Sequence, residues 1–274
     1  MSASTKRLLT FAGFLIIAGA AVLTPGIIAA KVAFQPPEPA AGSADNTKLI
    51  KSGPEKIAVR WYPPVSARSP VILYSHGNAE DLGMITPKLE MFRKAGFGVL
   101  AYDYRGYGRS GGVPTPSGVL CDAEAVWQYL TLDLNIAPER VIVMGFSIGS
   151  APSCHLAAEY SPRAVVLLAP IASAFQTVVP FMEKWPGNFF FNARLARSFT
   201  SPLLVIHGSR DIISNRMNGK LIAENGNGKF VGVDGAGHND LLEVMGRENF
   251  FKELAGVARL ELLPLTDRYV LIAE

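Results

Sequence analysis

Apolar residues in this chain fall in short blocks set between turns rich in glycine and proline. Val71–Ser75, Phe97–Tyr102, Val141–Met144, Ala164–Ala169 and Leu203–His207 are runs without polar alternation. That is the pattern of strands covered on both faces, as in a parallel sheet. Ile57–Tyr62, stopped by Pro63-Pro64, predicts a first strand and Lys229–Val233 a last one. Helical stretches are expected at Met84–Lys94, Ser117–Leu130, Ser150–Tyr160 and Asn239–Leu254. Strands alternating with helices predict an α/β fold, a mostly parallel central sheet with helices on both faces. Ligands of such sheets lie beyond the carboxyl ends of the strands.

The N-terminal pattern differs. Lys6 and Arg7 precede Leu8–Ala30, a stretch of about 23 uncharged residues, long enough to span a bilayer. Gly13, Gly19, Pro25 and Gly26 within it are tolerated in membrane helices. A signal peptide is the alternative, with Ile28-Ala29-Ala30 as a poor cleavage site. Residues 1–34 are therefore expected to form a single-pass membrane anchor. The positive charges before the span would leave the following domain outside the cytoplasm. Residues 35–54, with Pro36, Pro37, Pro39 and Pro54, predict an extended linker. Residues 55–274 form the expected globular domain.

The 274 residues suffice for one large α/β domain. Net charge is +3, and no run of Lys and Arg follows residue 7, which argues against nucleic acid as a partner. Cys121 and Cys154 lie in predicted helices without zinc spacing and are expected to be unpaired, buried thiols.

The candidate chemistry starts at Gly145-Phe146-Ser147-Ile148-Gly149, which fits G-x-S-x-G between a strand and a helix. A serine hydroxyl is a weak nucleophile and needs exposure on a sharp turn, within reach of a base. Of the four histidines, His238 lies in Gly235–Asp240, a flexible turn just past the last strand, on the same sheet edge as Ser147. His155 lies within the helix after the elbow, and His76 and His207 each precede a glycine at a strand end, where bracing a loop is the expected role. Asp211, also just past a strand, is the leading candidate to orient the base, ahead of Asp234 and Asp240. The order Ser147, Asp211, His238 matches one of the known serine-triad orders. An oxyanion needs two N–H donors. Ile148 follows the nucleophile, and the second donor is expected from His76-Gly77-Asn78-Ala79, with Asn78 first and Ala79 second.

Gly106-Tyr107-Gly108-Arg109-Ser110-Gly111 matches a dinucleotide fingerprint, but Pro114 and Pro116 follow where a helix should open. No cofactor or metal is expected. An insertion at about 172–200 carries Phe175, Phe181, Trp185, Phe189, Phe190, Phe191 and Phe199. It predicts a small cap whose aromatics either pack it onto the sheet or line an apolar pocket.

The elbow, His76–Ala79, Asp103–Gly112, Val205–Asp211 and Gly235–Asp240 together resemble the α/β-hydrolase superfamily. They look most like the membrane-associated α/β-hydrolase-domain proteins that include protein depalmitoylases. The resemblance covers about residues 55–256. It implies the α/β-hydrolase fold and a serine hydrolase cleaving esters or thioesters through an acyl-enzyme on Ser147. It also implies a small-molecule or acylated substrate and no cofactor. The depalmitoylases carry a cysteine-rich N-terminus, whereas this chain has no cysteine before Cys121. A peptidase or amidase of the same fold, or a membrane-anchored binding module without catalysis, are the alternatives.

Overall fold

The computed structural model describes residues 34–175, 188–265 and 268–273. Eight strands form one sheet: β1 (Thr47–Ser52), β2 (Glu55–Tyr62), β3 (Val71–Ser75), β4 (Gly98–Tyr102), β5 (Val141–Phe146), β6 (Ala164–Leu168), β7 (Leu203–Gly208) and β8 (Lys229–Val233). Their spatial order is β1-β2-β4-β3-β5-β6-β7-β8. β1 with β2 and β2 with β4 pair antiparallel, and every later pair is parallel.

Every residue of β3, β4, β5, β6 and β7 is buried, because successive side chains feed two separate cores. Leu73, Val143, Val165 and Val205 pack on one face against α2 (Pro116–Gln128), α3 (Ser150–Glu159), α4 (Asn192–Leu195) and α5 (Arg216–Asn225). Ile72, Met144, Val166 and Leu204 pack on the other against α1 (Thr86–Lys94), α6 (Leu241–Met245) and α7 (Arg247–Ala258). Two covered faces explain the unalternated apolar runs, each buried Val, Leu or Ile stabilising by about 1.5–3 kcal/mol. The expected fold is thus observed.

Three details depart from expectation. Where an extended linker is expected over 35–54, Thr47–Ser52 forms the edge strand β1, joined to β2 by a tight turn at Gly53-Pro54. The residues before it are fastened to the domain. Phe34 is buried edge-on to Phe190, and Ser43 Oγ and Ala40 N donate to Asp81 Oδ2 at 2.7 Å each. Arg60, fully buried, donates to Gly42 O and Leu82 O. Proline-rich backbone is extended by itself, and here outside partners hold it in place. The expected closing helix is broken into α6 and α7 at Gly246, whose φ of 77° no helix accommodates. After α7 comes an antiparallel hairpin of β9 (Leu260–Leu265) and β10 (Arg268–Ala273). Cys154 is buried, which pushes its thiol pKa up, whereas Cys121 is exposed.

The membrane expectations are corrected. Among the described residues no helix is long and apolar enough to cross a membrane. The apolar surplus there goes into the doubly covered sheet. The anchor, the transmembrane helix, the membrane as a partner and the extracytoplasmic placement do not stand on this structure. The stretch that suggested them, Leu8–Ala30, lies outside the described residues.

Candidate active site

β5 runs straight into the elbow. Ser147 has a φ of 54°, a left-handed conformation that costs a side-chain-bearing residue about 1–3 kcal/mol. The turn closes because two glycines flank it. A Cβ on Gly149 would collide with the Ser75 carbonyl at the end of β3, and one on Gly145 with the Gly149 carbonyl. The strained turn lifts the Ser147 hydroxyl above the sheet edge. Ser150 Oγ fastens it by donating to Ser147 O at 2.6 Å.

Two loops from the far half of the sheet meet that hydroxyl. His238, past β8, receives it at Nε2 over 2.9 Å and donates from Nδ1 to Asp211 Oδ2 over 2.7 Å. The Phe146 ring lies 5.1 Å from the imidazole. Asp211, past β7, has a fully buried side chain. Its Oδ1 accepts from Ile213 N at 2.9 Å and Ser214 N at 2.8 Å. Burial alone would raise the Asp211 pKa; hydrogen bonds from His207, His238 and the Ser214 N–H outweigh it and hold the carboxyl well below the usual range. The two rival carboxylates serve the loop itself. Asp234 accepts from Ser209 Oγ and Asp240 from Gly237 N.

The other histidines have separate duties. His155 pairs with Glu124 on α2 at 2.7 Å. His76 is buried, donates from Nδ1 to Gly77 O at 2.7 Å and lies 4.3 Å from the Tyr104 ring. His207 does more than brace a loop, since its Nε2 donates to the Asp211 carboxylate at 3.1 Å.

The loop His76–Glu80 forms the opposite wall. Tyr104 OH donates to His76 O at 2.6 Å, and Tyr107 OH to Asn78 Oδ1 at 2.7 Å. Gln35 N donates to the same Asn78 oxygen at 3.0 Å, and Gly77 N donates to Glu80 Oε2 at 2.7 Å. Tyr107 belongs to the segment that mimicked a dinucleotide fingerprint, and Tyr104 stands just before it; the chain turns on after Gly111, and α2 opens only at Pro116. The segment's work is to prop this loop. Tyrosines inside a glycine-rich turn were the available signal, since a buried phenol needs a polar partner.

Ser147, His238, Gly77, Asn78 and Ala79 all line one cavity of about 460 Å³. Met84, Phe146, Leu168, Ile213, Leu241 and Leu242 give it apolar walls. Ile148 lies buried next to Ser147. Lys88 reaches the cavity from α1, donating to Tyr74 OH at 3.0 Å and Glu80 Oε1 at 3.2 Å, with its ammonium 4.8 Å from the Phe146 ring centre. Burial disfavours that charge, but Tyr74 and Glu80 beside it hold the ammonium above its ordinary range. Burial in turn pushes the Tyr74 phenol up to about 12. Gln35, Glu80, Lys88, Tyr107 and the His207 bond escaped the sequence reading. Among the cap aromatics, Phe175, Phe189 and Phe190 pack on one another, and Phe181 and Trp185 lie outside the described residues.

Residues 66–198 match the family model described as "Serine aminopeptidase, S33". The chain is 34% identical over 249 residues to human alpha/beta hydrolase domain-containing protein 17B, covering 79% of this chain and 86% of that protein. Its fold is similar to that of an esterase from Pyrococcus furiosus, with a TM-score of 0.66 at 19% identity over 82% of this chain and 98% of that one. An enol-lactonase from Burkholderia xenovorans is similar at a TM-score of 0.58 and 19% identity, over 77% and 99% of the two chains. The fold is that of serine hydrolases. By sequence and by architecture, the chain belongs to the α/β-hydrolase family that includes the alpha/beta hydrolase domain-containing 17 proteins.

Proposed function

We propose that Ser147 attacks the acyl carbon of an ester or thioester, with His238 as general base and Asp211 holding its imidazole. Ser147 gives its proton to His238 Nε2 as the bond to carbon forms. The Ile148 and Asn78 amides take the developing oxyanion. His238 then returns the proton to the leaving alcohol or thiol, and water attacks the acyl-enzyme by the same route. The observation that carries this reading is the unbroken chain from Ser147 Oγ through His238 to Asp211, at 2.9 and 2.7 Å. The apolar walls suit a substrate with a hydrocarbon acyl group. The finer reading, an acyl-thioester substrate, rests on the resemblance to protein depalmitoylases.

A fluorophosphonate probe tests the nucleophile. Wild-type protein should be labelled on Ser147 and Ser147→Ala should not; a folded wild type that never reacts overturns the reading. The matching family model carries the name of an aminopeptidase, which keeps a second substrate class in view. Turnover of p-nitrophenyl and thioacyl esters of graded length, against aminoacyl anilides, separates the two. Faster turnover of the anilides would replace the ester reading with the peptidase one.

A further inference from the structure

Asp211 Oδ2 carries two imidazoles. His238 Nδ1 donates to it at 2.7 Å and His207 Nε2 at 3.1 Å. The second bond has a fixed sense. His207 Nε2 also lies 2.7 Å from Ser214 O, and both neighbours are acceptors, so Nε2 holds the proton. The other ring nitrogen, Nδ1, is buried and has no hydrogen-bond partner among the described residues. It faces the backbone of Gly219 on α5, where a Cβ would come within 2.6 Å of it. The ring is seated in a slot that fits it in one tautomer, with its single N–H aimed at the carboxylate and the loop carbonyl behind it.

We propose that His207 is a positioning residue for catalysis: its Nε2–H fixes the Asp211 carboxylate against His238 and draws charge from the oxygen that the two rings share. The proposal rests on the reading of Ser147, His238 and Asp211 as the reacting chain. A carboxylate with one fewer donor on that oxygen is more basic and stabilises the imidazolium of His238 more strongly. His207 thereby limits how tightly His238 keeps the proton it must hand to the leaving group. Its bond to Ser214 O also pins the loop whose N–H groups hold Asp211 Oδ1.

Among the described residues few other charges bear on the carboxylate. On α5, Lys220 sits over the Phe230 ring, and Arg216 and Glu224 are exposed. On the His238 loop, Asp234 and Asp240 are engaged with Ser209 and Gly237. β6 carries no ionisable residue. Among the described residues, the groups facing Asp211 are the two imidazoles and, through His238, the Ser147 hydroxyl.

The test compares His207→Phe, which keeps a ring and loses the donor, with His207→Gln, whose amide nitrogen can reach the carboxylate. The pH profile of kcat/KM for a p-nitrophenyl ester is recorded for each, with fluorophosphonate labelling and thermal unfolding alongside. His207→Phe should lose about 10-fold in kcat and move the acid limb of the profile up by about 0.5–1 pH unit. His207→Gln should restore both toward wild type. Gly219→Ala, which presses on the ring without removing it, should move the limb the same way by less and covers the case in which His207→Phe does not fold. Folded, labelled variants whose acid limb stays at the wild-type position would overturn the proposal, whatever their stability. Wild-type protein that is never labelled on Ser147 would instead overturn the reading beneath it.

Discussion

Two His-Gly pairs stand at strand ends on the same edge of the sheet, His76-Gly77 after β3 and His207-Gly208 at the end of β7. In sequence they look alike, and in structure both imidazoles are fully buried with a carboxylate beside Nε2. Their work differs. His76 Nε2 stands 3.5 Å from Asp103, beyond hydrogen-bond range, and the ring spends its Nδ1–H on the next peptide while lying against Tyr104 and Tyr107. His207 puts its proton on the carboxylate that also serves His238. One half of the sheet edge is a static prop for the wall of the cavity. The other half carries the groups we propose to pass a proton. A dipeptide motif thus does not define a role; the neighbour that receives the proton does.

The largest expected effect separates the two carboxylates. Asp211→Asn should lower kcat by about 10⁴-fold, because an amide cannot support the imidazolium or fix its tautomer. Asp103→Asn should stay within about 10-fold of wild type in kcat. It should instead cost about 1–3 kcal/mol in urea unfolding, since Asp103 Oδ1 accepts from Leu82 N in a fully buried site. Equal losses of kcat in both variants would erase the distinction between prop and proton path.

A middle-sized effect probes the prop itself. Tyr107→Phe removes one of two donors on Asn78 Oδ1 and leaves Gln35 N in place. Asn78→Ala removes the acceptor for both and keeps the backbone amide proposed for the oxyanion. Tyr107→Phe should lower kcat by about 3-fold and Asn78→Ala by about 10-fold, both with KM nearly unchanged, as expected when a donor is loosened rather than lost. A loss of 10²–10³-fold in Asn78→Ala would mean that its side chain, not its peptide, faces the substrate.

How much of this the sequence carried follows the same division. Ser147, Asp211 and His238 were legible because each sits at a strand end within a motif, and strand ends follow from apolar periodicity. The sheet was legible because β3 to β7 are buried on both faces and carry no polar residue before Ser75 and His207. β1 was not, since TKLIKS is two-thirds polar and gains its place only by pairing with β2. Nor were Gln35, Lys88 and Glu80, whose roles arise from meetings across 43 positions or between a helix and a loop. The apolar stretch Leu8–Ala30 shows the opposite failure: a strong local pattern drew a membrane reading to which the described part of the fold adds nothing.

The smallest effect contrasts two carboxylates that take no part in each other's chemistry, Asp81 under the N-terminal segment and Asp211 in the site. Burial would raise both pKa values, and in both it is outweighed, at Asp81 by hydrogen bonds from Met84 N, Ala40 N and Ser43 Oγ. A carboxyl held below its unfolded value, about 3.9, stabilises the fold above that pH. The contribution is lost as pH falls from there through the lower folded value. Unfolding midpoints in urea should therefore drop below about pH 4 in the wild type. Asp81→Asn, about 1 kcal/mol less stable at neutral pH, should lose less on acidification, because the group that must be protonated is gone. It should leave the pH profile of kcat/KM where it was, whereas changes around Asp211 should move it. An Asp81→Asn variant with a displaced acid limb would mean that residues 34–46 are coupled to the proton path and not only to the wall of the cavity.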